Sequence, residues 1–514
     1  MTLNAFSTAL NNELNPAFTH TENGALAHST TGSPLVDFNF KISSYRNCEP
    51  NEIVNDFSKV FAQNPKMAVL MLFFAGDIRQ GMGERKVFKS CMSWLADNHP
   101  EYCNAVIQFI PEYTRWDYAV DMLDGPCDAA AWQLLEKQFL EDVGNNAQNK
   151  PVSLLAKWLP SVNASNKAGN MMGKKIAKRL GLKEAHYRKA LASLRRRIDV
   201  VEVKMSANQW SEIDYNGVPS KANILYRNAF MRHDSYRRSE YLEALARADE
   251  NVKINSSVSF PYDIVHAYGD SYNDLLYDYD ATLEAMWKSL PDYTKGHDTN
   301  NVICVVDGSG SMGSSIGNTS ITAHDVARSL GIYFSEKLAG PFKDKFITFS
   351  SSPKLVDLAN MTTLHAKIKC CIEHDECANT DIEKTFMLIL NTAIHSELTQ
   401  DQLPGTVLVI SDMEFDEAVG YNADYVNKTL FDFIRMKYEQ AGYKLPRLVF
   451  WNVNSRTGAI PVQENEQGVT FVSGFSPTIA SMVFSNKLDP EEVLLDKLQS
   501  ERYKPIAYAI SDIA

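Results

Sequence analysis

Between Val302 and Val472 the chain carries five short apolar runs: VICVV (302–306), KFITF (345–349), TVLVI (406–410), RLVFWNV (447–453) and VTFV (469–472). Helical spacing of apolar residues fills most of the intervals, as with Val326, Leu330, Tyr333, Phe334 and Leu338 after the first run. A strand apolar at nearly every position is buried on both faces, which is what helices on both sides of a sheet provide. Strand and helix in alternation therefore predict a parallel, Rossmann-like sheet. In such sheets ligands bind beyond the carboxyl ends of the strands.

Three strand-end or turn segments carry oxygen donors. The first run continues as VVDGSGSMGSS (305–315), with Asp307, Ser309 and Ser311 spaced by glycines that let the loop turn sharply. TVLVI runs into SDMEFD, which places Asp412 just past a second strand, and ANTDIEKTF places Thr380 in a turn before a helix. Carboxylates and hydroxyls without sulfur or imidazole suit Mg²⁺ or Mn²⁺ better than zinc. Glu414 and Asp416 read as solvated loop acids. A two-metal hydrolase built on Asp307, Asp412, Glu414 and Asp416 would need several carboxylates around two close ions. No His or Lys base stands nearby in sequence, so no catalysis is expected. The cluster CCIEHDEC (Cys370, Cys371, His374, Cys377) lacks a second ligand pair and reads as a loop with free thiols.

The preceding half has a different texture. Residues 1–40, rich in Asn, Thr and Ser, read as an irregular arm. From about 50 to 290 the apolar residues follow helical stripes: Ile53, Phe57, Val60 and Phe61; Leu134, Leu135, Phe139 and Leu140; Tyr187, Leu191, Leu194, Ile198 and Val201. Helix after helix without a clean repeat predicts a bundle or an irregular α-solenoid. The polar stretch PDYTKGHDTNN (291–301), with Pro291 and Gly296, reads as the linker between the halves. The first residues lack a basic segment followed by an apolar core, so no cleavable signal peptide is expected. The most apolar run, MAVLMLFFAG (67–76), falls far short of the ~20 residues that span a bilayer. Eight cysteines without a scaffold pattern point to a reducing, cytoplasmic setting.

The net charge of −12 argues against a surface that coats nucleic acid. Residues 167–204 run the other way, with twelve Lys or Arg against three Asp or Glu. At helical spacing Lys174 neighbours Lys178, and Lys175 neighbours Arg179. In the next helix Arg188 and Arg195 share one side and Lys189 and Arg196 another, all flanking the Tyr187–Leu191–Leu194 stripe. Phosphate contact is the expected use of these eight cations. No base-reading motif is present, so shape and single-stranded RNA ends are expected targets, and DNA sequence readout is not.

Asp307, Ser309, Ser311, Thr380 and Asp412 together resemble the metal-ion-dependent adhesion site of von Willebrand factor A domains. The resemblance implies that serines and threonine bind a divalent cation, that the aspartates act directly or through water, and that a partner's acidic group completes the coordination. In the helical half, DIRQGMGERKVF (77–88), IPEYTRWDYAV (110–120), SLLAKWLPS (153–161), YRKALASLRRRIDVVE (187–202), IDYNGVPSKA (213–222) and FMRHDSYRRSEY (230–241) resemble the TROVE module of the Ro autoantigen family. More closely, they look like its uncharacterised virus- and eukaryote-borne relatives. The resemblance implies a multidomain α plus α/β chain: an arm (1–40), a HEAT-like helical ring or solenoid that binds RNA (41–296), and a von Willebrand factor A-like domain (297–514). It also implies a non-enzymatic ribonucleoprotein component that holds small structured or misfolded RNA. The alternative is a metal-dependent protein-interaction adaptor without RNA, for which the basic strip is unnecessary.

Overall fold

The computed structural model describes residues 18–513, apart from 24–25, 199, 257, 271–274, 350–351, 375–380, 416–429, 457, 459, 461–468, 485–486 and 488. Two hairpins precede the main sheet, β1 (Phe18–His20) with β2 (Leu26–His28), and β3 (Gly269–Asp270) with β4 (Leu275–Leu276). The main sheet holds β5 (Val302–Asp307), β6 (Lys345–Phe349), β7 (Leu355–Asp357), β8 (Thr406–Ser411), β9 (Arg447–Asn452) and β10 (Val469–Ser473). Their order is β10-β9-β8-β5-β6-β7. All neighbours are parallel except β7, which runs antiparallel on the edge.

The period of two along each strand sorts the side chains into two cores. Cys304, Val306, Leu408, Ile410, Val449 and Trp451 face the helix Ala323–Lys337 through Val326, Leu330 and Phe334. Ile303, Val305, Val407, Val409, Leu448 and Phe450 face the opposite way. There they meet the helices Ile382–His395 and Leu430–Gln440 through Phe386, Ile389, Ile434 and Tyr438. Thr322 caps the helix Ala323–Lys337 in a reciprocal box with Asp325. That helix lies close on β5: a Cβ at Gly331 would stand 2.6 Å from Val306 Cγ2.

The half before residue 290 is rich in helices, the longest being Asp128–Ala147. The helix Pro50–Gln63 packs on Pro65–Gly76 and Arg85–Asn98. The apolar run 67–76 is a core helix, buried along its whole length. Among the described residues no helix is long and apolar enough to cross a membrane. The first stripe is buried as expected, but Leu140 of the second is exposed. The third breaks at the helix end, Arg197, and Val201 joins a separate cluster with Tyr215 and Phe230.

One reading needs correction. The stretch 18–40 is not an irregular arm: after the β1–β2 hairpin, Ser33 caps a helix, Pro34–Lys41. Its Leu35 and Phe38 enter the core that holds Phe57 and its Val36 and Phe40 the core that holds Phe471, so this helix packs on both halves. The linker 291–301 exposes Asp292, Lys295, Gly296, Asp298, Asn300 and Asn301, yet it is tied down elsewhere. The Tyr333 hydroxyl donates to Pro291 O at 2.6 Å and accepts from Tyr293 N at 3.0 Å, and Thr294 and Thr299 are buried.

The halves share one core. Glu284 accepts the amides of Leu364 (2.8 Å) and His365 (2.9 Å), and His266 bridges Asp325 (2.8 Å) and Ser320 (3.0 Å). The C-terminal helices Pro490–Leu498 and Lys504–Ala509 return to pack on Pro65–Gly76.

Candidate metal centre

β5 and β8 are parallel neighbours, with Val306 opposite Ile410. Asp307 therefore ends its strand beside Ser411. Ser411 Oγ donates to Asp307 Oδ2 at 2.6 Å, and the Ser309 amide donates to Oδ1 at 2.9 Å. The Ser309 and Ser311 hydroxyls lie 3.0 Å apart. His324 Nε2 stands 3.0 Å from Ser309 O and holds the loop from behind. Beyond β8 the chain turns at Met413 with φ 64°, a left-handed conformation uncommon for a side chain of that size. The turn leaves Asp412 buried beside Asp307, with its Oδ1 accepting the Glu414 amide at 3.2 Å.

Two carboxylates are thus buried at adjacent strand ends. Burial raises the pKa of Asp307, and the charge on Asp412 raises it further, against the hydrogen bonds from Ser411 and Ser309. Burial also raises Asp412, while Arg456 pulls it down, Glu414 pushes it up and the Ser311 hydroxyl pulls it down. Asp412 Oδ2 makes no hydrogen bond among the described residues. Arg456 Nη2 lies 3.4 Å from it, a contact of charge only. An orphaned buried carboxylate oxygen, a facing aspartate and two converging hydroxyls fit a hard divalent cation. Asp307, Ser309, Ser311 and Asp412 come together here; Thr380, the fifth expected ligand, lies outside the described residues.

Glu414 is not a solvated loop acid. It is buried, and its carboxylate accepts Arg456 N (2.8 Å), Ser455 Oγ (3.2 Å) and Glu22 N (2.8 Å). Its bonds make it a brace for the loops, and Asp416 lies outside the described residues. The segment CCIEHDEC reads as a loop in the sequence, and the structure corrects this for Cys370, Cys371 and His374, which lie on a helix. Cys370 and Cys371 are buried on the helix Leu364–His374, and His374 Nδ1 is 2.8 Å from Cys370 O. Cys377 lies outside the described residues; among those described, no group of three His, Cys, Asp or Glu is placed to hold a metal.

The basic strip forms the helices Lys167–Arg179 and Glu184–Arg197. Lys174, Lys175, Lys178 and Lys183, with Leu182 and Glu184, border an open surface depression where the two helices meet. The eight expected cations divide. Lys178, Arg188 and Lys189 are exposed, with no ion pair among the described residues, and Lys174 is exposed 3.9 Å from Glu184. Arg196 is exposed and bonds only its own helix, at Ala192 O (3.4 Å). The other three have structural duties. Lys175 pairs with Asp124, and Arg179 pairs with Asp128 at 2.7 Å and lies over the Trp132 ring at 4.3 Å. Arg195 donates to Ala156 O and Leu159 O, each at 2.8 Å, satisfying carbonyls at the end of the helix Leu155–Trp158.

Residues 21–112 and 131–296, together half of the chain, match the family described as Domain of unknown function (DUF2828). The chain belongs to that family. Residues 301–506 match a second one, described as Domain of unknown function (DUF7788). A relative in Acanthamoeba polyphaga mimivirus, Uncharacterized protein L728, is 28% identical over 527 residues, covering 95% of this chain and 88% of its own. This fits the expected kinship with virus-borne proteins. Among solved structures, the crystal structure of the Deinococcus radiodurans RO (RSR) protein aligns over 89% of this chain and 93% of its own, at 13% identity and a TM-score of 0.35. A superposition that loose fixes neither fold nor function.

In this DUF2828 member the residues that sequence reasoning missed differ in how visible they were. Ser411 directly precedes Asp412, and pairing the two apolar runs in parallel would have set it beside Asp307. Lys183 sits between the two basic helices and borders the depression there. Arg456 and Glu22 carry no local signal. They meet at the mouth of the site only through the folded chain.

Proposed function

We propose that the chain is a non-enzymatic RNA-binding protein of the Ro type, with a divalent-cation site at the strand ends that accepts an acidic group. The observation that carries the RNA reading is the lysine-rich surface depression between the two basic helices, set in a chain of net charge −12. Four exposed cations of these helices, Lys174, Lys178, Arg188 and Lys189, are available to phosphates without disturbing the core. The TROVE-like motifs of the helical half, for which a HEAT-like ring or solenoid is proposed, support the same reading. The target is small structured RNA with a single-stranded end. Asp307, Ser309, Ser311 and Asp412, with Thr380, would hold Mg²⁺ or Mn²⁺ in the manner of a von Willebrand factor A domain. A bound cation supplies an open position for a carboxylate. A cytoplasmic setting agrees with the seven described cysteines, all of them unpaired.

The test is filter binding of such RNA at several salt concentrations. Wild type is compared with the fourfold variant Lys174→Glu, Lys178→Glu, Arg188→Glu, Lys189→Glu. Affinity should fall for many RNAs alike, and the salt slope should shrink by about 0.7 for each lost contact to a single strand. Unchanged affinity and slope in a folded variant would refute the RNA site. The adaptor reading, favoured by the carboxylate already found at the mouth of the metal centre, would then lead.

A further inference from the structure

The turn between β1 and β2 lies against the chain just beyond Asp412. Thr21 Oγ1 donates to Phe415 O at 2.5 Å, the Glu22 amide to Glu414 Oε2 at 2.8 Å, and Asn23 Nδ2 to Glu414 O at 2.7 Å. β2 is tied down as well, since His28 and Ile460 exchange two backbone hydrogen bonds of 2.8 Å. Thr21, Glu22 and Asn23 are therefore held in place, and the Glu22 side chain is presented to Arg456. The same Arg456 Nη2 that touches Glu22 lies 3.4 Å from Asp412 Oδ2. Its Nη1 donates to Ser311 O (3.2 Å) and Ser314 Oγ (3.1 Å). One guanidinium thus joins the N-terminal turn to both loops of the candidate metal centre.

We propose that Glu22 is an internal carboxylate for this centre, filling the place left to a partner's acidic group, and that Arg456 is the residue that reads that carboxylate. The proposal rests on the metal reading above. An ordinary exposed ion pair has no need of three hydrogen bonds to aim its acid, and surface pairs hold little by themselves. Here the turn is braced on Glu414, itself buried and joined to Arg456 through the backbone. A tethered ligand acts at an effective concentration of order millimolar. An external partner must therefore displace the turn. The chemistry that could do so is an extended segment with an acidic residue whose own amide replaces the Glu22 bond to Glu414.

The experiment is calorimetry of Mn²⁺ binding to the full chain for wild type, Glu22→Ala, Asp307→Ala and the pair Glu22→Ala, Arg456→Gln. Each titration is run with and without tens of millimolar sodium acetate, with folding checked by circular dichroism. Glu22→Ala should weaken Mn²⁺ by about ten- to a hundredfold, the range for losing a supporting group at a metal. Acetate should restore it, should leave wild type unchanged, and should fail in the double variant. If wild type and Glu22→Ala bind alike while Asp307→Ala does not bind, the internal carboxylate is refuted and the metal centre stands. If acetate strengthens wild type as much as Glu22→Ala, the position is open and the proposal fails. If wild type takes no Mn²⁺, the metal reading falls and this proposal with it.

Discussion

Arg502 ties the last residues to the helical half through Asp77. Asp77 is fully buried, and its carboxylate accepts Arg502 Nε at 2.9 Å, Arg502 Nη2 at 3.2 Å, the Tyr503 hydroxyl at 3.2 Å and the Arg79 amide at 2.9 Å. Arg502 also donates to Glu112 Oε1 at 2.7 Å and lies 4.2 Å over the Tyr113 ring. Replacing Arg502 by Met keeps the stem and deletes the charge. Asp77 then remains buried with one phenol and one amide. Removing one partner of a buried pair costs about 3–5 kcal/mol, whereas an exposed pair contributes ~0–1 kcal/mol. The arginine side chain retains 17% exposure, which places the expected loss near the lower end, about 3 kcal/mol.

The assay is urea unfolding followed by far-ultraviolet circular dichroism and by tryptophan fluorescence, whose transitions must coincide for a single free energy to hold. Coincidence is expected because one core runs through both halves. Adding Asp77→Asn to Arg502→Met should recover part of the loss, because no charge is then stranded. The coupling between the two substitutions should be about 2 kcal/mol. A loss below about 1 kcal/mol, or strict additivity, would show that Asp77 is not held as the geometry says.

Three further outcomes are expected. With chelator present, the contribution of Asp307 to stability should fall as pH rises from about 4 upward, because folded Asp307 holds its proton to higher pH than the ordinary carboxylate value of about 3.9. Asp307→Asn should flatten this dependence and Mn²⁺ should oppose it at the alkaline end, as melting temperatures at acid and neutral pH will show. Arg195→Ala should cost stability of about 1.5–3 kcal/mol by stranding two carbonyls, with little effect on the salt slope of RNA binding. A fragment of residues 297–514 should bind a hydrophobic dye and melt early, because the helix Pro34–Lys41 that covers Phe471 with Phe40 is missing; a cooperative, dye-free fragment would contradict the packing.

The sheet was legible because its strands are buried on both faces, so each reads as an unbroken apolar run. β7 was not: it is an edge strand with only Val356 buried, and one apolar residue makes no run. The helix Pro34–Lys41 was hidden for the opposite reason. It sits between two cores, with Leu35 and Phe38 on one side and Val36 and Phe40 on the other, so no single stripe marks it. Asp307 and Asp412 were found because strand ends are local features.

Availability is a different property from presence, and the basic strip shows why. Its twelve cations are a count that any reader can make. Lys178 and Arg195 look alike in that count, each beside an apolar helix stripe. What separates them is the carbonyls of Ala156 and Leu159, left over where a four-residue helix stops. A short helix has few internal bonds for its carbonyls, so it recruits a donor from elsewhere in the fold. The same logic acts with opposite sign at the strand ends. Asp412 keeps an oxygen without a hydrogen bond although Arg456 is within reach, because that guanidinium is held by Glu22, Ser311 O and Ser314. A donor already engaged leaves a buried charge short of partners, and a buried charge short of partners is what gives a divalent cation its hold.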